Sequence, residues 1–116
     1  VMRSLDVLLH RPKSYDIPVW CVGNVVAGGA GKTPATLALL QRLQNKEVHV
    51  VTRGYGGRLT GPVYVDANAH TAGDVGDEAL LLAASAPTVL ARRRAAGIEA
   101  AITAGAKLVI MDDGLQ

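Results

Sequence analysis

Between an apolar, β-branched run and a helical apolar stripe lies Gly23-Asn24-Val25-Val26-Ala27-Gly28-Gly29-Ala30-Gly31-Lys32-Thr33-Pro34, and few segments restrict a fold as tightly. The run before it, Ile17-Pro18-Val19-Trp20-Cys21-Val22, suits a buried parallel strand, and Thr33 to Gln44 carries apolar residues at helical spacing. Pro34 fits the first helical turn, where a missing N–H costs nothing. In a strand, glycine turn, helix unit, backbone N–H groups free of Cβ crowding converge on one anion, and the helix adds the positive end of its dipole. The spacing therefore predicts a phosphate-binding loop over 26–33: Val26, Ala27, Gly28, Gly29, Ala30 and Gly31 supply backbone, Lys32 reaches the β/γ-phosphates, and the Thr33 hydroxyl ligates Mg²⁺. The strict pattern G-x-x-x-x-G-K-[ST] wants a glycine where Val26 stands, so the match is incomplete. The flanking strand and helix carry the assignment against a chance glycine-rich turn.

Downstream, the pattern repeats the alternation of strand and helix. Glu47 to Thr52 reads as a strand running into Arg53-Gly54-Tyr55-Gly56-Gly57, and Pro62 to Asp66 as a short extended segment. Helical spacing follows over Glu78 to Ser85, a strand over Pro87 to Ala91, a helix over Arg92 to Ala104 and a final strand over Lys107 to Asp112. Such alternation implies an α/β fold: a P-loop NTPase-like, mostly parallel sheet with helices on both faces. With 49% hydrophobic and 19% charged residues, disorder is excluded, and a net charge of +2 spread along the chain gives no nucleic-acid surface. No apolar stretch approaches the roughly 18 residues that span a bilayer, and Val7-Leu8-Leu9 is too short for the core of a signal peptide. The single cysteine, Cys21, falls in the first strand and reads as a buried, inert thiol of a reducing compartment.

Three further groups could do chemistry. Four apolar residues ending in Asp112-Asp113-Gly114 match a Walker B strand, which delivers a carboxylate to Mg²⁺ at the mouth of a parallel sheet; an ordinary strand-ending turn is the plainer alternative. Gly73-Asp74-Val75-Gly76-Asp77-Glu78 places acids at a helix start, where capping and dipole stabilisation explain them. The functional alternative makes Asp77 the base that takes a proton from an attacking hydroxyl. Arg53, Tyr55 and their glycines suit an acceptor bearing phosphate and sugar, or form a solvated turn. Arg92-Arg93-Arg94 could meet an anion or face solvent. His10, His49 and His70 have no metal-ligand spacing.

Taken in order, Val22-Gly23-Asn24 with Gly28 to Pro34, Thr52 to Gly57, Gly76-Asp77-Glu78, Arg94 and Asp112-Asp113-Gly114-Leu115-Gln116 resemble the tetraacyldisaccharide 4′-kinase (lipid A 4′-kinase) family, over about Pro18 to Gln116. The resemblance implies transfer of the ATP γ-phosphoryl to the 4′-hydroxyl of a tetraacylated glucosamine disaccharide 1-phosphate, giving lipid IVA at the cytoplasmic face of the Gram-negative inner membrane. It implies Asp77 as general base with Glu78 supporting it, and Lys32 and Thr33 on phosphate and Mg²⁺. Asp112 and Asp113 become metal-associated carboxylates, while Arg53, Tyr55 and Arg94 hold substrate or phosphate. Two positions depart from the family: Val26 replaces a Ser or Thr, and Ala79 replaces a proline after Gly-Asp-Glu. The expected organisation is a membrane-proximal remnant over 1–16 and a P-loop domain over 17–116, a fragment of a longer chain. The family's amphipathic docking helix would precede Val1, and a second domain, with a histidine that orients the base, would follow Gln116.

A ParA- or MinD-like switch ATPase is the main rival, but Ala27 stands where its signature lysine belongs. A P-loop ligase of the cobyrinate or dethiobiotin synthetase kind does not call for the Arg-Gly-Tyr-Gly-Gly and Asp-Asp-Gly-Leu-Gln blocks. A folded nucleotide-binding piece without activity is the remaining alternative.

Overall fold

The computed structural model describes residues 7–10, 15–24, 32–43, 47–54 and 56–112, with 7–10, 23–24 and 32–34 described by their backbone alone. Among the described residues six strands form one sheet: β1 (Val7–His10), β2 (Val19–Asn24), β3 (Val48–Thr52), β4 (Val63–Tyr64), β5 (Thr88–Leu90) and β6 (Leu108–Asp112), in the spatial order β1-β2-β6-β3-β5-β4. The four inner strands are parallel, while β1 and β4 close the two edges antiparallel. Four helices accompany them: α1 (Lys32–Leu43), α2 (Ala72–Val75), α3 (Asp77–Ala83) and α4 (Arg94–Thr103).

The inner strands are buried because helices cover both faces, which is why their sequences are largely apolar rather than alternating. All five residues of β3 are buried, and the period of two divides them between the faces. Val48 and Val50 join Val22 and Ile110 beneath α1 (Ala35, Leu39, Leu40) and Leu82 of α3. Val51 joins Cys21, Val89, Val109 and Met111 beneath α4, which contributes Ile98 and Ala101. Full burial of each large aliphatic side chain is worth about 1.5–3 kcal/mol, so these two layers dominate the fold.

The strand and helix positions read from the sequence hold to within a few residues, with informative differences. Strand β2 starts at Val19, not Ile17, although the Pro18 carbonyl still accepts from Val109 N at 3.1 Å. Pro18 itself has no N–H to give a ladder. Strand β1 is not anticipated: four residues beside Gly23 and Asn24 carry too little pattern, and only their antiparallel register with β2 defines them. Helix α2 is likewise missed, being a single turn set by Thr71 and Asp74 rather than by apolar periodicity. Most consequentially, β6 inserts between β2 and β3, so the last strand in sequence lies beside the strand that leads into the glycine turn.

Candidate functional site

In parallel αβ units each helix returns antiparallel to its strands, so the helix starts and the strand ends share one edge, where ligands bind. That edge here carries the start of α1 at Lys32 and Thr33, the end of β6 at Asp112, Arg53 after β3, Asp77 and Glu78 opening α3, and Arg94 opening α4. Register fixes the closest part: Val22 of β2 pairs with Asp112 of β6. The predicted Val26, Ala27, Gly28, Gly29, Ala30, Gly31, Tyr55 and Asp113 lie outside the described residues.

Asp112 is 1% exposed, the most deeply buried acid of the described residues. An ionised carboxylate in that position needs donors or a cation. One donor is Thr36, itself fully buried, whose Oγ1 donates to Asp112 Oδ1 at 2.5 Å. Thr36 lies one turn into α1 on its sheet-facing side, between Ala35 and the Leu39-Leu40 pair. The sequence reading missed this residue; its signal was a hydroxyl set into an otherwise apolar helix stripe. A carboxylate is the kind of ligand that Mg²⁺ takes, one or two at a time beside several waters. Among the described residues no group of three or more His, Cys, Asp and Glu is arranged to hold a metal.

The acids before α3 divide by role. Asp74 is structural: its Oδ2 accepts from Thr71 N at 2.9 Å and its Oδ1 from Arg58 Nε at 2.9 Å. The Thr71 N–H chiefly, with the Arg58 guanidinium in support against partial desolvation, holds its carboxyl below the usual range. Asp77 and Glu78 occupy the first turn of α3 and are exposed. Gly76 is the N-cap there, without any side-chain capping bond, so capping does not account for Asp77. The favourable dipole position of both acids remains. Ala79, where the family carries proline, is buried in this same first turn, and the first ladder bond of α3 runs from Leu80 N to Gly76 O. A proline there would therefore sacrifice no helical bond.

Backbone contacts clasp the Arg53 loop to the segment before Asp77. Arg58 N donates to Gly73 O and Leu59 N to Asp74 O, both at 3.0 Å, while Gly57 N closes a turn on Gly54 O. The approach at Gly57 is so close that an added Cβ would stand 2.6 Å from Asp74 O and from the Val75 carbonyl carbon. Arg92, exposed, ties the far side through a 2.9 Å bond from its guanidinium to Gly57 O. Arg53 is half-buried at the base of this loop, and Arg94 is half-buried at the start of α4. Burial pushes the Cys21 thiol up, and the Arg94 charge acts in the opposite sense. Cys21 is buried and free, as expected.

His49 Nδ1 lies 2.6 Å from the Tyr64 hydroxyl, with the rings edge-on. His70 Nδ1 accepts from Asp66 N at 2.9 Å. No helix among the described residues is long and apolar enough to cross a membrane.

Comparison with known proteins matches residues 2–116 to the family model described as LpxK, Tetraacyldisaccharide-1-P 4′-kinase. The tetraacyldisaccharide 4′-kinase of Rhodospirillum centenum is 57% identical over 108 residues, covering 91% of this chain and 32% of that protein. That of Dinoroseobacter shibae is 58% identical over 109 residues, covering 92% and 32%. The chain thus spans about a third of the length of these relatives. A crystal structure of the "apo" form of LpxK from Aquifex aeolicus in complex with ATP superposes with a TM-score of 0.74 at 30% identity, covering 92% of this chain and 36% of that one. These matches do not favour the switch-ATPase and ligase readings. The chain belongs to the tetraacyldisaccharide 4′-kinase family.

Proposed function

We propose that the full-length protein carrying this chain is an ATP-dependent lipid kinase that phosphorylates the 4′-hydroxyl of tetraacyldisaccharide 1-phosphate, giving lipid IVA in lipid A biosynthesis. The observation that carries this reading is the shared edge: the start of α1, the buried Asp112, the uncapped Asp77 and the clasped Arg53 loop, in a chain of this family. Its ATP comes in through the relationship to a family member solved with ATP.

Phosphoryl transfer demands positioning and charge neutralisation more than covalent chemistry. In this reading the glycine turn over 26–31 and the start of α1 hold the phosphates, with Lys32 on their β- and γ-oxygens. Thr33, Asp112 and Asp113 hold Mg²⁺, which when bound neutralises charge on the phosphate oxygens. Asp77, exposed in the first turn of α3, takes the proton of the acceptor hydroxyl. Glu78 supports that charge. Arg53, Tyr55 and Arg94 orient anionic and sugar groups of the acceptor, with the 1-phosphate the natural partner of a guanidinium. The acceptor is a membrane lipid, so the protein works peripherally at the cytoplasmic face of the inner membrane.

Full-length protein incubated with labelled ATP and tetraacyldisaccharide 1-phosphate should place the label on the lipid. ATP hydrolysis indifferent to the lipid, with no labelled lipid, would remove the kinase reading.

A further inference from the structure

We propose that Thr36 is a positioning residue that registers the metal-associated carboxylate against the phosphate-binding helix. The proposal rests on the reading of Asp112 given above. In that reading the metal donors stand on separate elements, Thr33 on α1 and Asp112 on β6. A cation held from two elements is held well only if those elements cannot slide relative to each other.

The Thr36 hydroxyl supplies the tie. It donates to Asp112 Oδ1 at 2.5 Å, within the short range of charge-assisted O–H···O⁻ bonds, from one turn after Thr33. Both residues are buried, 0% and 1% exposed, so water does not compete for the bond. A hydroxyl at this position is not what packing asks for: Ala35, Leu39 and Leu40 make the rest of the buried helix stripe, and valine has the same shape as threonine. Two oxygens of a carboxylate are equivalent until one is claimed. By holding Oδ1, Thr36 restricts the rotation of the carboxylate. The same bond fixes the distance between α1 and the end of β6. Thr36 touches neither substrate nor metal, and acts through Asp112.

The test measures Mn²⁺ affinity by electron paramagnetic resonance, in full-length protein with a non-hydrolysable ATP analogue, below the unfolding temperature of every variant. Thr36→Val, which keeps the volume and loses the donor, should weaken Mn²⁺ binding about tenfold, the scale of one hydrogen bond to a charged group. Thr36→Ser should recover it to within about threefold, since the donor returns. Asp112→Asn should abolish protein-dependent Mn²⁺ binding, leaving the spectrum of Mn²⁺ with the analogue alone. If Asp112→Asn abolishes binding while Thr36→Val matches the wild type, Thr36 only fills the core and the proposal is overturned, with the metal role of Asp112 intact. If Asp112→Asn also binds Mn²⁺ like the wild type, the metal reading itself falls and takes the proposal with it. Should Thr36→Val not fold, Thr36→Cys replaces it, with a weaker donor of similar size; wild-type affinity in that variant overturns the proposal equally.

Discussion

The two sides of the sheet edge are built by opposite means. On the β2-β6-α1 side, a polar pair is sunk in the core: Thr36 and Asp112 are shut from water, on the same elements as the apolar layer of Val22, Leu39, Leu40 and Ile110. On the side of the Arg53 loop and α3, the acids are exposed, and order comes from backbone hydrogen bonds and from a glycine that admits close approach. Burial makes the first side rigid and commits its side chains to one geometry. Backbone clasping leaves the second side's side chains, Asp77 and Glu78 above all, open to solvent and to a large acceptor. The proposed lipid kinase, with its small, constant donor and bulky acceptor, would be served by that division.

The sharpest way to break this comparison is Asp77→Asn in the full-length protein. If the exposed side acts through chemistry and not through packing, phosphate transfer should fall on the order of a hundredfold or more, with the unfolding midpoint unchanged. A large loss of stability would show Asp77 to be structural instead.

Next in size is the clasp. Gly57→Ala forces a Cβ against the backbone of Asp74 and Val75, atoms that cannot turn aside, and should cost about 3 kcal/mol by chemical unfolding. Gly56→Ala is the control: its φ of +89° strains any L-residue, yet a Cβ there meets open space, and about 1 kcal/mol is expected. Equal losses would remove the clasp from the account.

The opposite helix face offers a subtler measurement. Gly97, within α4, faces Val51 Cγ1 at 2.6 Å and Ala91 Cβ at 3.0 Å from where its own Cβ would be. Alanine gains up to about 1 kcal/mol of helix propensity but overpacks this contact at about 1–3 kcal/mol, so Gly97→Ala should destabilise by about 1 kcal/mol. Adding Val51→Ala should make the pair less than additive, because the contact is with a side chain that can be shortened.

The smallest effect concerns pH. Burial lowers the His49 pKa from 6.5, so the unfolded chain takes up a proton before the folded one does. The stability due to a neutral His49 is therefore complete above about pH 6.5 and declines as pH falls below it. Unfolding free energies measured between pH 7 and 5 should show that decline, and His49→Phe should flatten it.

How much of this was open to the sequence depends on the range of the interaction. The parallel α/β class, the strand before the glycine turn, helix α1 and the Walker B strand all follow from short periodic runs, because backbone geometry ties burial to spacing over a few residues. The reading of Asp77 and Asp112 as reactive carboxylates came from local motif and family resemblance. What the sequence could not supply was anything decided between distant segments. The insertion of β6 beside β2 brings Asp112 to the strand that leads into the loop, and no local rule chooses that order. The bond from Thr36 to Asp112 joins residues 76 positions apart. Asp74 and Asp77, alike on paper, part company only when Thr71 and Arg58 close on one of them and leave the other in water. Local sequence determines which elements form and what chemistry they carry. Tertiary packing decides which groups are buried against one another, and burial sets whether a side chain is a fixture or a reagent.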